Sequence, residues 1–179
     1  IDRLSRYYSE ENANIHRGVY YLSELASTAY ENARDYLREQ INAAKREEVI
    51  FVRGATEGIN LVAASWGRSF LEEGDEVLIS AMEHHANLVP WQQLCAERKA
   101  RLRIIPITDE GDIILEEYYK LLNERTRLVS IVYVSNSIGT VNPVREIIRA
   151  AHERDIPVLL DGCQAMPHME VDVQELDKS

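Results

Sequence analysis

Several short stretches of this sequence end in side chains that could meet a ligand. Pro157 to Gln164 reads PVLLDGCQ: the apolar run Val158 to Leu160 stops at Asp161, Gly162 allows a sharp turn, and Gln164 follows. A continuous apolar run marks a strand buried on both faces of a parallel sheet. Ligands of open α/β sheets sit beyond the carboxyl ends of such strands, so an acid there can meet a cationic group, besides its plainer use as a turn or helix cap. RGATEGIN, residues 53–60, follows another apolar run and offers Thr56 at a small-residue turn. Unpaired N–H groups and the helix dipole point at such a turn, which suits a single phosphate. It is neither a Walker-type nor a dinucleotide-type glycine loop. MEHHANLVPW, residues 82–91, crowds Glu83, His84, His85 and Asn87 at the exit of a third run. Adjacent histidines diverge on a helix, and no Glu-x-x-His or His-x-x-x-His spacing supports zinc, so no metal is expected. An imidazole stacked on a flat ring, or a structural histidine, remains. Asn136 follows the longest β-rich run, Thr126 to Val134.

If these exits converge, they describe a pocket for a flat, phosphorylated, nitrogen-containing ring. The phosphate meets the turn at Thr56, and the ring stacks beneath His84. Gln164 holds a phenolic oxygen with Asn136 close by, and Asp161 pairs with a protonated ring nitrogen. That set describes pyridoxal 5′-phosphate, whose ring becomes an electron sink when a carboxylate keeps its nitrogen protonated.

The elements that must position these residues follow from periodicity. Residues 1–20 are polar without a clean period and read as a solvated arm. From Ser23 to Ala44, Leu25, Ala29, Ala33, Leu37 and Ile41 form one apolar stripe, which predicts a long amphipathic helix. Val49 to Val52 reads as the first strong strand, followed by a helix capped by Thr56 and ending near Gly67. Strands are expected at Glu76–Ser80, Leu102–Ile107, Thr126–Val134 and Val158–Leu160, with the second nearer an edge because of Pro106. Helices are expected over 91–99, 115–122 and 144–154. The alternation predicts an α/β fold: a doubly wound, mostly parallel sheet flanked by helices, with right-handed crossovers. The arm and long helix occupy 1–44, and residues 45–179 form part of a larger ligand-binding domain.

Composition narrows the function. The 179 residues are 45% hydrophobic and 28% charged, which is a globular balance. A net charge of −10 argues against a nucleic-acid partner, and no apolar run reaches membrane length. Cys95 and Cys163 give no disulfide framework and suit a reducing compartment, so a cytoplasmic protein is expected. The first residue is Ile1 and the last residues are LDKS, which leads us to expect a fragment.

NANIHRGVYYLS, RGATEGINLVA, MEHHANLVPWQ, VSNSIGTVNPV and VLLDGCQAMPHMEVDVQELD resemble, in order, the motifs of the type II (SufS-like) cysteine desulfurases. These are related to selenocysteine lyases within the class V aminotransferase group, and the resemblance covers essentially the whole chain. It implies the large domain of a fold-type I pyridoxal-phosphate enzyme, working as a homodimer. It places Ala55 and Thr56 in the phosphate turn. His84 would stack on the ring and relay protons, Asp161 would pair with the ring nitrogen, and Gln164 would contact the phenolic oxygen. Asn136 would lie by the ring and the substrate carboxylate, and His16 at the substrate entrance. The implied reaction takes sulfur from L-cysteine, leaving L-alanine and an enzyme persulfide. A SufE- or SufU-type acceptor would carry the sulfur to iron–sulfur cluster assembly. Selenocysteine lyase activity is the same chemistry on L-selenocysteine.

Departures from the family pattern matter. Ala55 stands where a second Thr is common, and Cys163 stands where Ala is usual; Cys163 reads as a small buried residue rather than a nucleophile. No Ser-x-His-Lys segment for a Schiff-base lysine occurs, and Lys45, Lys99, Lys120 and Lys178 sit in polar contexts. The chain alone is therefore expected to be inactive, and a non-catalytic α/β module that binds a ligand or a partner stays open. The parent reading frame distinguishes the two. The enzyme predicts a Ser-x-His-Lys segment and a Cys-bearing loop beyond residue 179, whereas a stop codon after Ser179 favours the module.

Overall fold

Short apolar runs alternating with amphipathic stretches leave the chain few ways to hide both. A parallel sheet with helices on its faces is one of them. The computed structural model, which describes residues 1–178, adopts it. The elements are α1 (Asp2–Arg6), a π-helical turn (Tyr7–Glu11), α2 (Tyr21–Gln40) and α3 (Ala55–Val62). A second π-helical turn (Ala63–Gly67) carries α3 into α4 (Arg68–Phe70). Then come β1 (Glu76–Ser80), α5 (His85–Arg98), β2 (Arg101–Ile105), α6 (Leu115–Leu121) and β3 (Thr126–Val132). The last are α7 (Val144–His152), β4 (Val158–Asp161) and α8 (Val173–Asp177). Two compact units result: residues 1–50 with 172–174, and residues 51–171 with the segment from 175.

In the first unit, α2 buries Ser23 and Ala26, and the Ser23 hydroxyl donates to the Asn14 carbonyl at 2.7 Å. The expected solvated arm is instead helical through Glu11. Glu11 is buried, and its carboxylate takes Arg3 at 2.6 Å and Arg6 at 2.7 Å. Ion pairs rather than an apolar stripe hold this turn, so hydrophobic periodicity could not reveal it. The unit closes where Val173 N–H donates to the Ile41 carbonyl and Asn42 Nδ2 to Asp172, both at 2.9 Å.

In the second unit the strand order is β2–β1–β3–β4, all parallel. The two-residue alternation of strands sorts the core onto two faces. Val77, Ile79 and Leu128 pack with Trp91 and Leu94 of α5 and Ile59 of α3. Leu78, Ile105, Val129 and Ile131 pack with Tyr118 of α6 and Ile147 of α7. β2 lies at one edge, as Pro106 suggested. β4 forms the other among the described residues, with Val158, Leu159 and Leu160 half-buried.

Three expectations are corrected. Val49 to Val52 does not join the sheet, and Ile50 stays exposed. Its β-branched residues favour extended backbone, but propensity supplies no neighbour to pair with. α5 starts at His85, ahead of the expected residue 91, and contains Pro90. Its early start is set by the cap at His84, and a proline near a helix start loses little. α3 starts at Ala55 with Gly54 as its cap, so Thr56 is inside the first turn rather than capping it, and the helical run passes Gly67 to reach Phe70. The other elements stand within a few residues of expectation.

Ile131 lies near the carboxyl end of β3 and is fully buried. Ile131→Ala should cost about 2–5 kcal/mol, read as a lower urea midpoint. An unchanged midpoint would remove Ile131 from the core.

Candidate active site

Parallel pairing brings the carboxyl ends of β1, β3 and β4 to one edge of the sheet, and β3–β4 register sets Val132 beside Asp161. A cavity of about 290 Å³ opens there. Ala55, Thr56, His84, Asn136, Asp161 and Gln164 all line it, drawn from segments far apart in the chain. Ala86, Val132 and Cys163 line it too and were not singled out as ligand contacts. Val132 was hidden because it reads as plain core; only its place at a strand end betrays it.

The Gly54–Thr56 part of the lining suits an anion. Gly54 has no side chain to cap α3, and the first helical bond runs from Gly58 N–H to the Gly54 carbonyl at 3.1 Å. The amides of residues 55–57 therefore have no acceptor within the helix. Thr56 is exposed beside them and adds a hydroxyl to the lining. Glu57 would oppose an anion, but it is turned onto Arg53. Its carboxylate accepts the Arg53 N–H at 2.5 Å and the guanidinium at 2.9 and 3.1 Å. Those Arg53 bonds hold Glu57 below the usual carboxylate range.

The Asp161 part of the lining suits a cation. Asp161 is buried, and its Oδ1 accepts the Cys163 N–H at 3.0 Å. Its backbone carbonyl accepts Tyr133 N–H at 3.0 Å, which ties the residue to the end of β3. Cys163, expected to be buried, is exposed. Its thiol is pushed above the ordinary range by partial desolvation, then by the Asp161 charge and a hydrogen bond to it. It remains a thiol and a poor nucleophile at neutral pH.

His84 lines the same cavity. As the cap of α5 it accepts the Ala86 N–H at Nδ1, 3.1 Å away. An accepting Nδ1 leaves the proton of the neutral ring on Nε2. The His85 ring is 6.1 Å away and tilted by 47°, so the pair is not stacked. Asn136 is exposed in a turn closed by Ser135 N–H to the Thr140 carbonyl at 2.9 Å. Gln164 follows the Asp161 turn and is half-buried. Helix-end amides and a hydroxyl for phosphate, a carboxylate for a cationic nitrogen, an imidazole and two amides fit pyridoxal 5′-phosphate as a donor set. The cavity volume is near the lower end for small-molecule sites.

His16 belongs to the first unit. It has left-handed backbone (φ 57°), its N–H donates to Ser27 Oγ at 2.9 Å, and its Nε2 lies 3.1 Å from Glu31. The Tyr30 ring meets it edge-on at 5.8 Å.

The aminotransferase class-V family matches residues 1–178. A cysteine desulfurase of Synechococcus elongatus is 56% identical over 177 residues, which is 99% of this chain and 28% of that protein. The apo structure of a cysteine desulfurase from Thermococcus onnurineus superposes with a TM-score of 0.92 at 35% identity, covering 98% of this chain and 43% of the other. SspA in complex with cysteine superposes with a TM-score of 0.90 at 26% identity, covering 98% and 50%. The chain spans less than half the length of the curated relatives it matches.

The Cys163 environment is testable by alkylation. Iodoacetamide should label Cys163 more slowly than a free model thiol near pH ~8, with the rate rising as pH climbs through the raised pKa. Asp161→Asn removes the neighbouring charge and should speed labelling. Labelling faster than the free thiol would contradict this electrostatic picture.

Proposed function

Because the chain belongs to the class-V aminotransferase family, we propose that it is the cofactor-binding part of a pyridoxal 5′-phosphate-dependent cysteine desulfurase. The observation that carries this reading is the meeting, in one cavity, of Ala55, Thr56, His84, Asn136, Asp161 and Gln164. The full-length protein would take sulfur from L-cysteine and release L-alanine. It would pass the sulfur, as an enzyme persulfide, to an acceptor protein of SufE or SufU type for iron–sulfur cluster assembly. We place it in the cytoplasm as a homodimer. L-selenocysteine is the rival substrate, and no residue of this cavity separates the two.

When bound, the cofactor supplies an electron sink for carbanion chemistry at the substrate carbon. The protein's part is holding and orienting. The open amides of α3 and the Thr56 hydroxyl would bind the phosphate. Asp161, steered by the Cys163 N–H, would hold the protonated ring nitrogen, an ion pair strengthened out of water. His84 would cover the ring and offer its Nε2 proton. The amides of Gln164 and Asn136 would fix the phenolic oxygen and the substrate carboxylate. His16 is assigned to the substrate entrance on its NANIHRG motif.

The sulfur-accepting thiolate must come from elsewhere in the full-length protein. Burial pushes Cys95 up to about 11, and Cys163 is held as a thiol beside Asp161. A thiolate is needed to attack the substrate sulfur.

Full-length protein should show bound-cofactor absorbance and release L-alanine from L-cysteine in the presence of a reductant. Asp161→Ala should weaken cofactor binding roughly 10- to 100-fold, the loss of one charge-assisted bond. Wild-type protein with neither absorbance nor alanine release would end this reading. Unchanged cofactor affinity in Asp161→Ala would remove Asp161 from its role.

A further inference from the structure

Glu83 precedes His84, yet its carboxylate is engaged among β1, β3 and α5 rather than lining the cavity. Oε1 accepts from the Ser80 hydroxyl and from the Val132 N–H at 3.0 Å. Oε2 accepts from Asn87 Nδ2 at 2.7 Å. Asn87 is fully buried, and its Oδ1 accepts from the Trp91 indole at 2.9 Å and the Ser130 hydroxyl at 2.6 Å. The polarity of this network is set throughout: every donor meets an acceptor.

The Val132 contact explains why an acid stands there. Val129 N–H donates to the Pro157 carbonyl and Tyr133 N–H to the Asp161 carbonyl, so the odd residues of β3 face β4. By alternation the Val132 N–H faces β1, which has already ended at Ser80. The Glu83 carboxylate stands in for the carbonyl that β1 no longer offers. Desolvation raises the Glu83 pKa despite these bonds, so the charge is held against a burial cost. Stability alone does not call for a charge there, since apolar replacements of buried ionic groups are often neutral or better.

We propose that Glu83 is a positioning residue for this site, clamping the His84 backbone to the end of β3 and so setting the imidazole against Asp161. The link to Asp161 is the Val132–Asp161 register, and the link to His84 is the peptide bond itself. The assignment of His84 and Asp161 to a cofactor rests on the function proposed above; the clamp does not.

The test uses the full-length protein and two variants. Glu83→Gln keeps an oxygen for Ser80 and Val132 but sets an amide against the Asn87 amide. Glu83→Gln with Asn87→Asp reverses donor and acceptor and restores the match, because the aspartate still accepts from Trp91 and Ser130. The readouts are the His84 imidazole resonance (assigned with a His84→Gln control), the bound-cofactor absorbance, kcat and KM for L-cysteine, and the melting temperature. Glu83→Gln should shift the resonance and the absorbance and lower kcat roughly 10- to 100-fold, with a smaller change in KM. The double variant should return all of these toward wild type. A wild-type resonance in Glu83→Gln overturns the proposal, and so does a double variant that recovers melting temperature without recovering the resonance. If wild-type protein binds no cofactor, the functional reading fails while the resonance still decides the role of Glu83. Should Glu83→Gln fail to fold, the double variant decides alone: a wild-type resonance supports the clamp and a displaced one overturns it.

Discussion

Every site residue of the second unit depends on strands that point the same way. In a parallel sheet the carboxyl ends of all strands share one edge, so loops distant in sequence open toward common ground. β3 is central to this. It pairs with β1 on one side and β4 on the other, and its end is braced by Val132–Asp161 register and by the Glu83 carboxylate. A shift of one residue in β3 would carry each of its side chains to the opposite face. Ser130 would leave the Asn87–Trp91 network and enter the Ile147 layer, leaving a buried indole N–H without its full set of partners. The polar network and the two apolar layers therefore specify the same register.

A chain with a net charge of −10 is an unpromising receptor for phosphate. Its answer is local. Charge beyond a Debye length, ~8 Å at physiological salt, is largely screened. Within that distance the lining supplies backbone amides at a helix start, and no lysine or arginine is among the described residues that line the cavity. The nearest acid in sequence, Glu57, is occupied by Arg53. Asp161, which must keep its charge to meet a cation, is fixed through its backbone neighbours instead of through a competing basic side chain. The lining thus combines helix-start amides with one carboxylate and few other formal charges.

Much of this was legible in the sequence because the governing signals are local. Short apolar or β-rich runs ending in a polar residue mark β1, β3 and β4 and, with them, Asn136 and Asp161 near a common edge. What failed was tertiary. Val49–Val52 has strand composition but no neighbour in the sheet, and pairing cannot be read from one segment. Glu11 stabilises its turn through Arg3 and Arg6, a pattern to which hydrophobic periodicity is blind. The helix expected from residue 91 begins at His85, because the His84 ring caps it, and that contact is not visible in the periodicity. Glu83 looked like one more acid in a crowded motif. Its partner Val132, and the Ser130 hydroxyl that bonds its partner Asn87, lie more than forty residues away in sequence, so only the folded chain reveals them.

The outer margin of β4 has a consequence for handling the protein. Among the described residues β4 has no outer neighbour, Val158 to Leu160 are only half covered, and half the ladder groups of such a strand point outward. Such a margin is a template on which another polypeptide can lay itself down, backbone to backbone, without any change in the fold. Concentrated samples of these 179 residues should therefore tend to stack. A covering segment, or a charged residue engineered along that rim, would act as a guard against it.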